Sequence, residues 1–177
     1  MITLDRLNEH DLEDTFRARN EITVMQWCRQ NFPLHWENHL KWYTKQQQDP
    51  SIEMFAIRAN DDVCDDELVG VCGLTDIDNL NRRAEFSCYI IPSYQRNGYC
   101  TKALIKLFYY GFNRLNLNII WGETFERNPA FNLFVNKLRM KHEGTRRMFY
   151  FKDGEYLDAN LVSLTRKEWK IRDIYRS

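Results

Sequence analysis

The feature that most constrains this chain is a strand-like run that passes through a tight glycine turn into a helix-like run. Residues 83–92 alternate apolar and polar side chains, as half-buried strands do. Residues 93–104 then contain Gly98 and lead into a helical stripe of leucines. A strand, a tight turn and a helix start leave several backbone N–H groups unpaired at one point, where the positive end of the helix dipole attracts phosphate. The stretch therefore predicts a site for a phosphorylated ligand, first of all a cofactor.

The composition predicts one domain and argues against nucleic acid as a partner. A chain of 177 residues with 44% apolar and 14% aromatic residues can bury one sizeable core, so we treat residues 1–177 as a single domain. Lys plus Arg and Asp plus Glu are equal at 25 each, whereas nucleic-acid binders rely on a basic face. The balanced charge therefore predicts no nucleic-acid partner.

The N-terminus and the cysteines carry no signal for export, membrane insertion or metal binding. No apolar run approaches the roughly 20 residues that span a bilayer, and residues 1–6 lack the basic start of a signal peptide. We therefore expect a cytoplasmic protein without a membrane partner. The cysteines show neither a CxxC pattern nor zinc-like spacing, which predicts reduced thiols and no metal site. They are Cys28, Cys64, Cys72, Cys88 and Cys100.

The order of the predicted elements indicates a mixed α/β sheet with helices on both faces. A first strand is followed by two helical stretches, three consecutive strands, and then alternating helices and strands before a final hairpin. The ligand crevice of such a sheet lies at the carboxyl ends of its central strands, where the glycine turn falls. The predicted strands are 2–7, 54–58, 68–77, 84–90, 117–125, 148–151 and 156–164, and the helices are 10–26 with a break near Asn20, 35–48, 104–115 and 131–138.

Three segments in register resemble the GNAT family of N-acetyltransferases. Residues 95–100, QRNGYC, are similar to the family's Q/R-x-x-G-x-G/A signature, and residues 128–140 are similar to its N-x-x-S…K-L-G-F segment. Residues 142–158 resemble the branch of ribosomal-protein N-terminal and spermidine acetyltransferases. The resemblance covers nearly the whole chain. It implies a single-domain GNAT-type α/β fold with a mixed, mostly antiparallel sheet, and acetyl-CoA (coenzyme A) as cofactor.

The resemblance also assigns cofactor contacts to the glycine turn and its neighbours. The turn would hold the pyrophosphate, Ile90 and Ile91 would flank the pantetheine arm, and Asn128 would contact the cofactor. Taken alone, the turn would equally suit an ordinary strand-to-helix connection, and Asn128 a plain helix N-cap. Cys100 replaces the usual small residue but is still compact. The turn residues assigned to cofactor binding are Gln95, Arg96, Asn97, Gly98, Cys100 and Thr101.

Glu85 and Tyr89 are the candidate catalytic residues. Glu85 lies opposite the apolar face of its strand, where it could take the amine proton through a water. The alternative is a surface glutamate paired with Arg82 or Arg83. Tyr89 offers a phenol as general acid, and the backbone amide of Tyr89 or Ile90 offers a donor to the developing oxyanion.

The general acid stays open, because Val135 stands where many GNAT members carry a tyrosine. Tyr150 is a further phenol. Glu123 is the second candidate for the base, although a solvated charge at a strand end is the favoured interpretation there. His39 and His142 are more simply explained as packed side chains than as catalysts.

These features predict a transferase that moves an acetyl group to a primary amine by direct attack in a ternary complex. The acceptor stays open among a protein N-terminus, a polyamine and an amino sugar. Trp27 and Trp42, in the N-terminal helical region, would either line the acceptor groove or fill the core. A homodimer is also left open. The rival hypothesis is a catalytically silent acyl-CoA-binding sensor or interaction module, since the usual acid is missing at Val135.

Overall fold

The computed structural model describes residues 1–61 and 64–171, and in these ranges seven strands form one sheet. The strands are β1 Ile2–Arg6, β2 Glu53–Ala59, β3 Glu67–Asp78, β4 Arg83–Ile90, β5 Ile119–Phe125, β6 Lys141–Lys152 and β7 Glu155–Thr165. They lie side by side in the order β1-β2-β3-β4-β5-β7-β6.

The helices are short, and two of them continue into π-helical turns. They are α1 Leu12–Asn20, α2 Ile22–Met25, α3 Trp36–Gln48, α4 Tyr99–Tyr109, α5 Ala130–Asn132 and α6 Arg166–Ile171. The π-helical turns are Tyr110–Arg114 after α4 and Leu133–Lys137 after α5. Over the described ranges, every helix is too short or too polar to cross a lipid bilayer.

Neighbouring strands are antiparallel except for β4 and β5, which run parallel. The chain joins this parallel pair through α4, because parallel neighbours need a crossover connection and cannot be linked by a tight hairpin. The arrangement confirms the predicted mixed, mostly antiparallel sheet.

The parallel pair β4 and β5 stays together over a short stretch and then splits. The register runs from Arg83 opposite Ile119 to Glu85 opposite Trp121. Beyond this point β4 continues along β3, and β5 continues along β7. The two strands therefore open a cleft. Within the described ranges, the edge of β4 beyond Glu85 faces this cleft with backbone groups that no strand on that side pairs.

Apolar side chains cover both faces of the sheet, which confirms the predicted helices on either side. The larger cluster lies on the α4 side, where Leu104, Leu107 and Phe108 are fully buried. Their spacing is that of one helix face. The Phe108 ring packs edge-on against that of Phe86, with the ring centroids 5.4 Å apart. The opposite side has a smaller cluster under α1 and α3, formed by Leu7, Leu12, Tyr43, Ala56, Leu68 and Val71.

Two predicted elements differ from the structure. β6 begins at Lys141, well before the expected start at Met148. This edge strand is exposed over most of its length, so its sequence shows no alternation of apolar and polar side chains. Only its pairing with β7 in the structure identifies it as a strand. The helix predicted over 131–138 is instead the single turn α5 and a π-helical turn.

The expected hairpin loop after Asn60 joins β2 to β3, and its residues 62 and 63 lie outside the described residues.

Candidate active site

The predicted phosphate turn lies at the carboxyl end of β4. After this strand the chain makes a 3-10 turn at Pro92–Tyr94 and reaches α4 through Arg96 and Gly98. Both residues have positive φ angles, 69° for Arg96 and 77° for Gly98. Gly98 is the N-cap of α4 in a left-handed conformation, which glycine adopts at no steric cost.

The start of α4 offers free backbone donors. No side chain caps it, so helix geometry leaves the N–H groups of Tyr99, Cys100 and Thr101 without intrahelical partners. The helical ladder begins with Lys102, whose N–H donates to the Gly98 carbonyl at 3.2 Å. A Cβ built on Gly98 would meet no atom of the described chain within 4 Å, so the approach is open. These residues fit the pyrophosphate of coenzyme A.

Gln95 and Asn97 use their side chains to support the turn from within. The side-chain amide of Gln95 donates to the Ile90 carbonyl at 3.1 Å, and its backbone N–H donates to the Pro92 carbonyl at 3.2 Å. The Asn97 side chain donates to the Tyr94 carbonyl at 3.4 Å. The Gln95 backbone amide is therefore already engaged, and the free donors lie four to six residues further along.

The backbone N–H groups of β4 point alternately to its two sides, and the N–H of Ile90 points toward the cleft. The Ile91 N–H donates to the Val69 carbonyl of β3 at 2.9 Å. Successive amides of a strand point to opposite sides, so the N–H of Tyr89 also faces β3 and the N–H of Ile90 faces away from it. Of the two amides considered as oxyanion donors, that of Ile90 suits the cleft.

Glu85 and Glu123 meet beside the split and share one cation, Arg29. Glu85 is 6% exposed, and the side chain of Glu123 on β5 is 4% exposed. The same guanidinium nitrogen, Nη2, bonds Glu85 and lies 2.9 Å from Oε1 of Glu123, while Nη1 lies 3.3 Å from Glu85 Oε2. The alternative of a surface glutamate paired with Arg82 or Arg83 is wrong, because Glu85 is buried and its partner Arg29 belongs to the loop after α2.

Glu123 carries two further contacts from β6. Arg146 Nη1 lies 3.1 Å from its Oε2, and the Tyr150 hydroxyl donates to its Oε1. The expectation of a solvated strand-end charge is wrong, because β5 is an inner strand and these side chains cover its end. Burial and the bond to Glu123 raise the pKa of Tyr150 to about 12. The phenol therefore keeps its proton at neutral pH.

A buried lysine holds the loop that carries Arg29. Lys152 is 6% exposed and ends β6. Its Nζ donates to the carbonyls of Met25, Cys28 and Gln30 at 3.1, 3.0 and 2.8 Å. Sequence reasoning missed Lys152 and Arg29, because their contacts join distant parts of the chain and follow no local pattern.

Tyr89 lines a cavity of about 120 Å³ at the face of β4 that α1 and α3 cover. Its hydroxyl oxygen and Arg19 Nε are buried without a hydrogen-bond partner within the described ranges. Burial raises the pKa of Tyr89 well above its ordinary value, so the phenol stays neutral. Unpaired buried polar atoms are rare in native proteins, which suits this cavity to a polar ligand group. The other lining residues are Leu34, Asn38, His39 and Trp42.

His39 is a packed residue of the cavity wall. It is 3% exposed, its Nε2 lies 3.0 Å from Thr15 Oγ1, and its ring stacks on Trp42 at 5.2 Å. Burial, together with the charge of Arg19, lowers the pKa of His39 and favours the neutral ring. His142 lies exposed on β6, and its ring packs edge-on against that of Phe131 with the centroids 5.1 Å apart, as expected of a packed side chain. Among the described residues, no group of three or more His, Cys, Asp or Glu could hold a metal ion.

Asn128 supports the start of α5 from the position just before its N-cap, Pro129. Its Oδ1 accepts from the Ala130 N–H at 2.9 Å, and its backbone carbonyl accepts from the Phe131 N–H at 3.1 Å. The side-chain NH₂ takes no part in these bonds, so a cofactor contact is compatible with them. Val135 is half-buried in the following π-helical turn and offers no proton.

A comparison with known protein families identifies a family that shares this arrangement. The family model described as an acetyltransferase (GNAT) domain matches residues 2–141. That range includes the split strands, the glycine turn, both buried glutamates and Asn128.

Among relatives, the uncharacterized N-acetyltransferase YoaA of Bacillus subtilis (strain 168) is 33% identical over 100 residues. The match covers 56% of this chain and 56% of YoaA, so the chain spans little more than half of that relative. The spermidine N(1)-acetyltransferase of Escherichia coli (strain K12) is 30% identical over 159 residues, covering 89% of this chain and 82% of the relative.

A solved structure shows the same fold over nearly the whole chain. The spermidine N-acetyltransferase from Vibrio cholerae, in complex with CoA and spermine, matches with a TM-score of 0.88 at 22% identity. The match covers 96% of this chain and 98% of that one. The family match, supported by this shared fold, leads to one conclusion: the chain belongs to the GNAT acetyltransferase family, whose cofactor is acetyl-CoA.

Proposed function

We propose that this protein is an acetyl-CoA-dependent N-acetyltransferase that acts on a small primary amine of the polyamine class. The observation that carries the acceptor class is the buried pair Glu85 and Glu123, which share one guanidinium nitrogen of Arg29. Buried carboxylates are costly unless they face a cation, so the pair suits a cationic ligand group. The relatives named as spermidine acetyltransferases support the same class.

In this proposal, two amines of the acceptor take the place of the Arg29 guanidinium, one beside each carboxylate. The Arg29 side chain is 49% exposed and sits on a loop, so it can leave without opening the core. A polyamine carries more than one amine. One ammonium can stay charged beside Glu123 while a neighbouring amine becomes the nucleophile near Glu85.

The chain's own groups would supply the remaining chemistry. Bound acetyl-CoA supplies the thioester that receives the amine. The amides at the start of α4 would hold the pyrophosphate, and the Ile90 amide would donate to the reacting carbonyl oxygen. Glu85 would accept the amine proton, directly or through a water. Tyr89 holds a proton on an unpaired hydroxyl and can donate it to the departing sulfur.

Other acceptors and a non-catalytic role remain as rivals. A protein N-terminus or an amino sugar presents a single amine, which leaves the second carboxylate without a ligand partner. A silent acyl-CoA sensor would have no need of a buried acid pair, although Val135 supplies no acid. The homodimer and the cytoplasmic location stay predictions.

The test is acetyl transfer by the purified protein, followed as thiol release from acetyl-CoA. The acceptors are spermidine, spermine, butylamine, glucosamine and a peptide with a free N-terminus. We expect kcat/KM for the polyamines to exceed that for butylamine about tenfold or more, because one further ion pair contributes about 1.4 kcal/mol. Turnover confined to glucosamine or the peptide would overturn the acceptor class. Cofactor binding without turnover on any amine would favour the sensor.

Matched variants separate the two carboxylates. Glu123→Gln should raise KM for spermidine more than for butylamine, because it removes the charge that holds the second amine. Glu85→Gln should lower kcat and shift the pH profile, because it removes the base. Glu155→Gln is the control, since this glutamate forms an exposed ion pair with Arg127. A wild-type pH profile for Glu85→Gln would rule it out as the base.

A further inference from the structure

Two cysteines lie side by side where the cofactor turn meets the sheet. Cys88 belongs to β4, and its side chain packs with the larger core on the α4 side of the sheet. Cys100 belongs to the first turn of α4. Their Sγ atoms are 3.6 Å apart, both residues are half-buried, and both thiols are free.

We propose that Cys88 and Cys100 form a reversible oxidation site. A low-molecular-weight disulfide such as glutathione disulfide would oxidise the two thiols to a disulfide bond between them. A disulfide requires an S–S distance of about 2.05 Å, so the two sulfurs have to approach by about 1.5 Å. The ring so formed would enclose residues 89–99, which include the glycine turn. The effect on coenzyme A rests on the proposed function, whereas the bond itself does not.

Cys100 is the attacking thiol of the pair. The contact with Cys88 lowers the pKa of Cys100, and the same contact, together with burial, raises the pKa of Cys88. The Cys100 thiolate attacks one sulfur of the small disulfide, whose S–S bond breaks and releases one thiolate. A mixed disulfide on Cys100 results.

The second step closes the ring. The Cys88 thiol loses its proton to solvent and attacks the Cys100 sulfur, and a second small thiolate leaves. Both released thiolates take up protons. In total the two cysteines lose two electrons and two protons, and one small disulfide is reduced to two thiols.

Cys72 is the competing partner for Cys88. It lies directly opposite Cys88 in the register of β3 and β4. However, Cys72 is fully buried, and burial raises its pKa well above the ordinary value. A small disulfide therefore reaches Cys100, at the half-buried helix start, in preference to Cys72.

The new bond would act on the turn. It would draw the start of α4 toward β4 and shift the amides of Cys100 and Thr101 by a distance that hydrogen bonds do not tolerate. Loss of one charge-assisted bond to phosphate corresponds to an affinity about tenfold weaker. We therefore expect oxidation to weaken coenzyme A binding and reduction to restore it.

Peptide mapping tests the bond directly. The intact protein is incubated with glutathione disulfide, alkylated and digested with trypsin. Trypsin places Cys88 in residues 84–96, Cys100 in 97–102, and Cys72 in 59–82. We expect the first two peptides to be joined, two hydrogens lighter than their sum, and to separate with dithiothreitol. A link between 59–82 and 84–96, or glutathione adducts without any link, would overturn the proposal.

Calorimetry with coenzyme A tests the consequence. Oxidised wild type should bind about tenfold more weakly than reduced protein. Cys88→Ser should bind normally when reduced and, with the oxidant, should keep glutathione on Cys100 without forming the link, whereas Cys28→Ser, the control that retains both sulfurs of the pair, should form the link and lose affinity as wild type does. A complete link with unchanged affinity would refute the effect on the turn. Reduced protein that binds no coenzyme A would count against the proposed function and leave the mapped bond standing.

Discussion

Replacing Lys152 with methionine isolates the three hydrogen bonds that hold residues 25–30 against the sheet. Methionine keeps the length and apolar stem of the side chain but removes its ammonium. The three carbonyls now bonded at 2.8 to 3.1 Å, those of Met25, Cys28 and Gln30, then lose their donor. The loop that presents Arg29 to the buried glutamates is thereby released.

The expected loss in the free energy of unfolding is about 3 kcal/mol. Each bond from a charged donor contributes about 1.5–3 kcal/mol, so three together would exceed 4 kcal/mol. Two effects offset part of this sum. The freed carbonyls belong to half-buried residues and can bind water, and the variant no longer has to desolvate the Lys152 charge.

Urea unfolding, followed by circular dichroism, measures this change. With a slope of about 2 kcal/mol per molar, the midpoint should fall by about 1.5 M. Lys141→Met on the same strand is the control, because its ammonium is exposed and lies 3.8 Å from Glu143. The control should lose less than about 0.5 kcal/mol. A Lys152→Met variant as stable as the control would refute the view that these bonds hold the loop.

Three further predictions concern single positions. Gly98→Val should abolish coenzyme A binding, because its side chain would enter the open approach to the turn and strain a φ of 77°; unchanged affinity in calorimetry would contradict the phosphate site. Gly122→Ala should lower the melting temperature by several degrees, about 1–3 kcal/mol, because a Cβ there lies 2.5 Å from the Phe86 ring; an unchanged melting curve would show that the ring yields freely. The pKa of His39 is lowered by burial and by Arg19, so the unfolded chain takes up this proton first as pH falls. Wild type should therefore lose more stability than His39→Gln between pH 7.5 and 5.5 in urea unfolding, and parallel losses would contradict this assignment.

The strand, turn and helix of the proposed cofactor site could be predicted, because each depends on a pattern among neighbouring residues. Alternation along residues 84–90, the glycine at 98 and the leucine stripe of the following helix specify strand, turn and helix from neighbouring residues. The polar strand β6 lacked such a pattern. Its early residues are exposed, so pairing with β7 decides their conformation.

The residues of the proposed acceptor site are brought together by contacts that no local sequence pattern encodes. Glu85 was identified as a candidate from its place on the strand, but its partner Arg29 lies 56 residues away. Glu123 was expected to be solvated and is buried instead, because β6 folds back and lays Arg146 and Tyr150 over it.

The sequence by itself determined the β-turn-α unit and its open amides, since backbone geometry and glycine's freedom act between adjacent residues. Only the tertiary structure decided the charge environment of the cleft and the contact between Cys88 and Cys100. The splitting of β4 from β5 and the return of β6 bring together side chains from remote parts of the chain. Burial and Coulomb energies depend on those spatial distances and not on spacing along the sequence.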